Sequence, residues 1–176
     1  LRTRRPERIL EVGTAVGYSA LFMAEYMPEN AGITTVEKVA SRLAEARRNF
    51  ERYDSGKRIR LVEGDAAEVL QDLAEQGCQY DFIFMDAAKG QYLNFLPAVM
   101  TLLMKGGILV SDNIMHEGDI LQSRYAVTRR DRTIHARMRE YLQVLTHHRE
   151  LETICLPIGD GITISMKRQE AANEET

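Results

Sequence analysis

Short strand-like runs alternate with helical patterns along most of this chain of 176 residues. After each run, apolar residues recur at the three- and four-residue spacing of a helix that packs on one side. Strands and helices in such alternation connect by right-handed crossovers and build a parallel sheet covered by helices on both faces. The sequence therefore predicts a single α/β domain over residues 1–176 with a mostly parallel sheet.

The positions of the elements follow from the same patterns. Strands are predicted at 8–13, 32–37, 58–64, 80–86 and 106–113, and helical spacing is found between them and again at 134–145. The end of the chain differs, because two strand runs in 151–167 are joined through Gly159-Asp160-Gly161, which is typical of a hairpin. We expect this hairpin to add an antiparallel strand at one edge of the sheet.

Composition and charge exclude several classes of protein. The chain has no apolar run near the roughly 18 residues of a membrane span and no start typical of a signal peptide. We therefore expect a cytoplasmic protein outside the membrane, with free thiols at Cys78 and Cys155. The net charge of −3 argues against a general binder of polyanions. Because the first residue is Leu1, we expect a further segment to precede it.

The stretch ILEVGTAVGYSALFMA, residues 9–24, has the form of a nucleotide-binding turn between a strand and a helix. Gly13 and Gly17 are spaced as G-x-x-x-G, but Ala20 stands where a dinucleotide fingerprint has its third glycine. Glu11 just before the turn disfavours a pyrophosphate and suits a ligand with an amino group and a positive centre, such as S-adenosylmethionine. A plain strand–helix turn and an NAD site remain alternatives.

An acidic residue follows or ends every predicted parallel strand. In an open α/β sheet ligands bind beyond the carboxyl ends of the strands, where we expect Glu11, Glu37, Asp65, Asp86 and Asp112. So many carboxylates repel one another unless a cationic cofactor or a divalent metal lies among them. Glu37, about 20 residues after the glycine turn, can accept both ribose hydroxyls; the alternative is a solvated acid at a strand end.

The motifs LEVGTAVGYSA, TVE, GDA, FIFMDAAKGQY and VSDN resemble, in order and spacing, the metal-dependent O-methyltransferases of the catechol and caffeoyl-CoA type. The resemblance runs from about Arg8 to Lys167. It implies a Rossmann-like class I methyltransferase fold, with a mostly parallel seven-stranded sheet that ends in an antiparallel hairpin, and a homodimer. The family places helices before the first strand, and this sequence does not contain them.

The resemblance also assigns roles to residues. It implies that S-adenosylmethionine is bound by residues in and after the strand ends: Glu11, Gly13, Gly17, Ser19, Glu37, Asp65, Ala66 and Asp86. Among them, Ser19 would hold the methionine carboxylate and Glu37 the ribose hydroxyls, while Asp65 and Ala66 would face the adenine. It implies Mg²⁺ ligands at Asp86, Asp112 and Asn113, and it places Lys89 close to the substrate oxygen. Asp86 as a helix cap and Lys89 as an ordinary surface lysine are the alternatives.

The implied ligands agree with the chemistry of the reaction. Two carboxylates and an amide oxygen are hard ligands suited to Mg²⁺, and a substrate with two adjacent oxygens could chelate the ion. A metal lowers the pKa of a bound hydroxyl, so Asp86 and Lys89 are the predicted catalytic residues. Lys89 would act either as a base or as an electrostatic guide.

The segment GDILQSRYAVTRRDRTIHARMREYL is most similar to the family's bacterial tRNA methyltransferases, which act on 5-hydroxyuridine at the wobble position. Arg129, Arg130 and Arg132 would then contact RNA phosphates; the alternative is a solvated helix face. We therefore expect a tRNA substrate converted to 5-methoxyuridine. The alternatives are a small catechol or caffeoyl-type phenol, a non-catalytic RNA-binding protein, and an NAD dehydrogenase. His116 is expected in a loop near the site.

Overall fold

The computed structural model describes residues 1–54, 56–114 and 132–169, except for the side chain of Arg132. The strands within these ranges are β1 (Arg8–Val12), β2 (Gly32–Glu37), β3 (Ile59–Glu63), β4 (Tyr80–Met85), β5 (Leu103–Ser111), β6 (Leu151–Leu156) and β7 (Ile162–Lys167). The helices are α1 (Tyr18–Tyr26), α2 (Ala40–Tyr53), α3 (Ala66–Glu75), α4 (Tyr92–Leu102) and α5 (Arg132–His147). A short 3-10 turn, Lys89–Gln91, precedes α4.

These strands join in one seven-stranded sheet in the order β3-β2-β1-β4-β5-β7-β6. The pairs among β1 to β5 are parallel, and β7 is antiparallel to both β5 and β6. This confirms the predicted fold. The antiparallel strand, however, lies one position inside the edge, and β6 forms the edge. The local sequence shows that β6 and β7 pair, but which of the two contacts β5 is decided by long-range packing.

Alternate residues of the central strands pack on opposite faces of the sheet, as the pleat requires. Ile9 of β1 packs in a cluster with Met23 of α1 and Met27, the residue that follows this helix. Leu10 belongs to the larger core that α3, α4 and α5 cover on the other face. Ile9 and Leu10 are both fully buried, as expected of a parallel strand covered on both sides. Helices therefore lie on both faces, as predicted.

The amphipathic patterns position the helices correctly. Leu43, Ala46 and Phe50 are the buried residues of α2, and Met138, Tyr141 and Leu145 are fully buried on α5. No helix in the described part of the chain is long and apolar enough to cross a membrane. Both cysteines are free thiols, as predicted.

The boundary that differs most from its prediction is the start of β5, whereas the other strand ends agree within two residues. The strand begins at Leu103, three residues before the predicted position. A shift in register between the pairs Tyr80–Leu103 and Phe82–Ile108 interrupts the pairing with β4. Gly106, with a φ of 75°, lies inside this irregularity. Residues 103–105 were not predicted as part of the strand because Gly106 and Gly107 follow them, and glycine is uncommon inside strands.

Candidate active site

A cavity of about 600 Å³ opens at the carboxyl ends of β1 to β4. Of the predicted cofactor residues, those that line it are Gly13, Glu37, Asp65, Ala66 and Asp86. Glu11, Gly17 and Ser19 are not among its lining residues, and neither are Lys89, Asp112 and Asn113. The strand-end acids of the four strands thus meet at one edge of the sheet, but they do not all face the same space.

The glycine turn needs both of its glycines. Gly13 has a φ of 107° and Gly17 a φ of 88°, which are conformations that side chains disfavour. A Cβ at Gly13 would lie 2.0 Å from the carbonyl oxygen of Asp86, and one at Gly17 would lie 2.5 Å from the ring of Phe50. The first glycine therefore lets the turn approach the end of β4, and the second lets α1 approach α2.

The carboxylate of Glu37 is held in place by backbone donors. Its Oε1 accepts hydrogen bonds of 2.9 Å from the N–H groups of Lys38 and Val39, and Oε2 accepts one of 3.0 Å from Ala15. The guanidinium of Arg42 lies 3.9 Å from the same carboxylate. Glu37 is only 7% exposed although it lines the cavity. This is not the environment of a solvated acid at a strand end; it is a fixed acceptor at a ligand-sized cavity.

Asp65 both begins α3 and closes one side of the cavity. Its Oδ1 accepts a hydrogen bond of 2.9 Å from the N–H of Ala67, which makes it the N-cap. Its Oδ2 accepts one of 2.9 Å from the ammonium of Lys38. The hydrogen bond from Lys38, followed by that from Ala67, holds the pKa of Asp65 below its usual range. Asp65 therefore stays ionised beside the cavity wall that Ala66 forms.

Asp86 and Asp112 follow two neighbouring parallel strands. Met85 pairs with Ser111 in the sheet, and the N–H of Asp112 donates to the carbonyl of Met85 at 3.0 Å. The buried hydroxyl of Tyr92 lies 3.0 Å from the carbonyl oxygen of Met85 and 3.2 Å from that of Asp112. Tyr92 therefore ties the two strand ends together from α4, a contact that the sequence did not predict.

The charge of Asp112 affects the ionisation of Asp86. Partial desolvation by the surrounding protein raises the pKa of Asp86, although solvent reaches the side chain, and the charge of Asp112 raises this pKa further. Lys89 opposes both effects, so its ammonium lies close enough to stabilise the ionised form. A divalent cation would relieve the repulsion between the two acids more fully than one lysine does.

Asn113 completes the predicted set. Its backbone is left-handed, with a φ of 53°, and its N–H donates to Oδ1 of Asp112 at 2.6 Å. Its amide nitrogen lies 3.4 Å from Asp160. No group of three or more His, Cys, Asp or Glu in the described ranges is arranged to hold a metal ion. The set at β4 and β5 is instead two carboxylates and an amide, a donor combination that suits Mg²⁺.

The helix-cap alternative for Asp86 finds no support. Neither α4 nor the 3-10 turn before it has a side-chain cap, and their N-cap positions are Gln91 and Ala88. Asp86 instead lines the cavity.

Glu11 faces inward, under the glycine turn. Its carboxyl is fully buried and accepts hydrogen bonds from the hydroxyls of Ser19 and Thr35. Burial raises the pKa of Glu11 from 4.5 to about 7, against the effect of the two hydroxyls, and Asp86 adds to the increase. The hydroxyl hydrogen of Ser19 is thus donated to Glu11, and Ser19 must exchange this bond before it can donate to a ligand.

Helix α5, the described part of the arginine-rich segment, adjoins the turn that carries Lys89. Arg129, Arg130 and His116 lie outside the described residues, as does the side chain of Arg132, which begins α5. On the same helix, the guanidinium of Arg137 donates to the carbonyl oxygen of Gly90 at 2.8 Å. This hydrogen bond fixes α5 beside the 3-10 turn.

Ten further residues line the cavity and were not predicted: Ala15, Val36, Lys38, Val39, Arg42, Gly64, Ala87, Ala88, Gln91 and Phe95. Most of them lie within two residues of a predicted strand end, so the rule that found the acids could have found them too. Arg42 and Phe95 are different, because they reach the cavity from helices. Phe95 is buried in the core as well as being part of the cavity wall.

Replacing Glu11 with Gln tests its burial. A raised pKa means that the folded protein holds the proton more tightly than the unfolded chain, so stability is full below about pH 4.5 and falls as the pH rises to about 7. Between pH 5 and pH 8, the free energy of unfolding measured with urea should decrease by about 2 to 3 kcal/mol more for wild type than for Glu11→Gln. The exposed control Glu25→Gln should follow wild type. Parallel curves for wild type and Glu11→Gln would contradict the buried position.

Comparison with known proteins identifies the family of this chain. The family model described as O-methyltransferase matches residues 3–168. A catechol O-methyltransferase of Niastella koreensis is 33% identical over 116 residues, which are 65% of this chain and 52% of that protein. A caffeoyl-CoA O-methyltransferase of Citrus natsudaidai is 29% identical over 171 residues, which are 95% of this chain and 74% of that protein. The chain thus spans about half the length of the first relative.

A solved structure shows the same fold. The methyltransferase of Podospora anserina, whose crystal structure contains S-adenosylhomocysteine, superposes with a TM-score of 0.83 at 28% identity. The match covers 96% of this chain and 74% of the other. The comparisons support a methyltransferase rather than an NAD dehydrogenase. They confirm the predicted family: this chain belongs to the O-methyltransferases.

Proposed function

We propose that this chain transfers a methyl group from S-adenosylmethionine to a hydroxyl oxygen that has a second oxygen on the neighbouring atom, with the help of Mg²⁺. One observation carries the proposal. Asp86 lines the cavity that also contains Glu37 and Asp65, and it stands beside Asp112 at the end of the next strand. In this proposal the cofactor site and the pair of carboxylates that would ligate the metal meet at a single residue.

The cavity residues match the parts of the cofactor. S-adenosylmethionine, when bound, supplies an electrophilic methyl group on a sulfonium centre. Glu37 would accept the ribose hydroxyls, because its carboxylate is already oriented by three backbone donors. Asp65 and Ala66 would face the adenine, and Phe95 offers an apolar wall to the same cavity. The acidic surroundings suit a cation better than a phosphate.

The residues at the ends of β4 and β5 would hold the metal. Mg²⁺, when bound, supplies a positive charge that lowers the pKa of a neighbouring hydroxyl. The carboxylates of Asp86 and Asp112 and the amide oxygen of Asn113 are its ligands in this proposal. Lys89 stands next to Asp86 and would either take the substrate proton at Nζ or stabilise the oxyanion that is left.

For the substrate we propose 5-hydroxyuridine at the wobble position of tRNA. The O5 hydroxyl and O4 carbonyl of this base are neighbours, so the base can chelate a metal as a catechol does. The arginine-rich segment supports this choice, because Arg137 joins α5 to Gly90, the residue after Lys89. α5 thus lies beside the proposed site, and we propose that Arg129, Arg130 and Arg132 contact phosphates of the RNA.

A small catechol or caffeoyl-type phenol is the second candidate. The names of the relatives favour it, since they are called catechol and caffeoyl-CoA O-methyltransferases. The same metal and cofactor residues would serve such a phenol, because it too carries two neighbouring oxygens. The two candidates differ in what surrounds the site, a basic rim for RNA or an apolar slot for a free phenol.

Removal of the metal tests the reaction chemistry. Exhaustive chelation should lower methyl transfer at least about 100-fold, and Mg²⁺ should restore it, because the metal stabilises the oxyanion. Asp112→Ala should have a similar effect, whereas Asp72→Ala, which removes an exposed carboxylate from α3, should retain activity. A radiolabelled methyl-transfer assay measures all of these rates. Full activity after chelation would contradict the proposal.

A side-by-side assay tests the substrate. The purified protein should methylate tRNA that contains 5-hydroxyuridine, with 5-methoxyuridine detected by mass spectrometry, and should leave catechol and caffeoyl-CoA largely unmodified. Replacing Arg129, Arg130 and Arg132 with Ala should weaken tRNA binding and reduce its salt slope by up to about three, without changing the affinity for S-adenosylhomocysteine.

A matched control for this substitution removes three exposed arginines of α2, Arg47, Arg48 and Arg52. These arginines lie on the helix that packs against α1, whereas α5 packs in the core on the other face of the sheet. They are therefore away from α5, and the affinity for tRNA should be close to that of wild type. Methylation of the phenols with no activity on tRNA would overturn the tRNA proposal in favour of the second candidate.

A further inference from the structure

Four polar side chains form a buried cluster beneath the glycine turn, which we call the Glu11 cluster: Glu11, Thr14, Ser19 and Thr35. The hydroxyls of Ser19 and Thr35 donate to the two oxygens of the Glu11 carboxyl. The hydroxyl oxygens of Thr14 and Thr35 are 2.6 Å apart. Glu11, Thr14 and Thr35 have no exposed surface, so water cannot replace these bonds.

The hydrogen bonds in the cluster run in one direction. An ionised carboxylate only accepts hydrogen bonds, and each hydroxyl has one hydrogen to donate. Because Thr35 donates its hydrogen to Glu11, Thr14 must be the donor to Thr35. All three hydroxyl hydrogens therefore point, directly or through Thr35, toward Glu11. Removal of the Thr35 hydroxyl would leave Glu11 with one donor and Thr14 without an acceptor.

The Glu11 cluster connects the sheet to the cofactor turn. Glu11 on β1 and Thr35 on β2 are directly paired in the sheet, whereas Thr14 lies in the turn and Ser19 in the first turn of α1. The backbone strengthens this connection, because the N–H groups of Gly13 and Thr14 both donate to the carbonyl of Val36. Thr35 therefore connects β2, through Glu11 and Thr14, to the turn and to the start of α1.

We propose that Thr35 is a positioning residue for cofactor binding, which acts through Glu11 on Ser19. The Thr35 hydroxyl fixes the Glu11 carboxyl, and this carboxyl in turn fixes the side chain of Ser19 at the start of α1. Thr35 itself does not line the cavity, so its effect on a ligand has to pass through its neighbours. The inference rests on the proposed function, because it assumes that the turn holds S-adenosylmethionine.

The test is the affinity for S-adenosylhomocysteine, measured by calorimetry at pH 8 so that Glu11 is ionised. Thr35→Val keeps the branched shape and removes the hydroxyl, and it should weaken binding about tenfold, which is within the range of effects that a residue without ligand contact exerts through its neighbours. Thr35→Ser restores the hydroxyl and should bind within about twofold of wild type.

Measuring the effect of Thr35→Val in a protein that also carries Ser19→Ala distinguishes a positioning role from a general structural effect. If Thr35 acts through Ser19, Thr35→Val should no longer change the affinity once Ser19→Ala is present, because the two effects share one path. A purely structural effect would weaken binding equally in both backgrounds. The control is Thr163→Val on β7, where the buried hydroxyl oxygen has no hydrogen-bond partner in the described structure; its affinity should equal that of wild type.

The outcomes distinguish this inference from the proposed function. If wild type does not bind S-adenosylhomocysteine, the proposed function is wrong. If wild type binds it but Thr35→Val has no effect, or has the same effect with and without the Ser19 hydroxyl, the inference about Thr35 alone is wrong. Should Thr35→Val fail to fold, Thr35→Cys, whose thiol is a weaker donor, must show the same dependence on Ser19.

Discussion

The repulsion among acidic side chains at one edge of the sheet is the constraint on which this structure depends. Parallel strands bring their carboxyl ends together, and here an acid stands at each end. The fold compensates two of these acids, with three backbone donors for Glu37 and the Lys38 ammonium for Asp65. Glu11 is instead buried beneath the turn, where its pKa rises to about 7 although two hydroxyls donate to it. Asp86 is different, because partial desolvation and the neighbouring charge of Asp112 both raise its pKa.

This difference organises the site. The compensated acids are structural or preorganised, and they shape a cavity whose turn approaches the end of β4 so closely that only glycine fits at position 13. The Asp86 and Asp112 pair lies where that cavity meets the next strand. A cation is therefore stabilised most beside Asp86 and Asp112, where a cofactor and a substrate would meet. Methyl transfer to an oxyanion requires positive charge at such a point.

The sequence predicted the acids because strand ends in an alternating α/β pattern are easy to find, and the pleat then places them on one edge. It could not predict which way each acid faces. Glu11 turns inward because Thr35 stands opposite it on β2, and this pairing depends on the register of two distant segments. The contacts of Lys38 with Asp65 and of Tyr92 with two strand ends are likewise long-range. The hairpin sequence likewise could not predict that β7 rather than β6 pairs with β5, because this pairing also depends on long-range packing.

The central claim is that the ends of β4 and β5 form a divalent metal site. The most direct measurement is anomalous diffraction from crystals grown with Mn²⁺ and S-adenosylhomocysteine. The account predicts one strong anomalous peak about 2.2 Å from side-chain oxygens of Asp86, Asp112 and Asn113, in the coordination range of hard divalent ions. No peak at these residues, in crystals whose cavity contains the cofactor product, would contradict it.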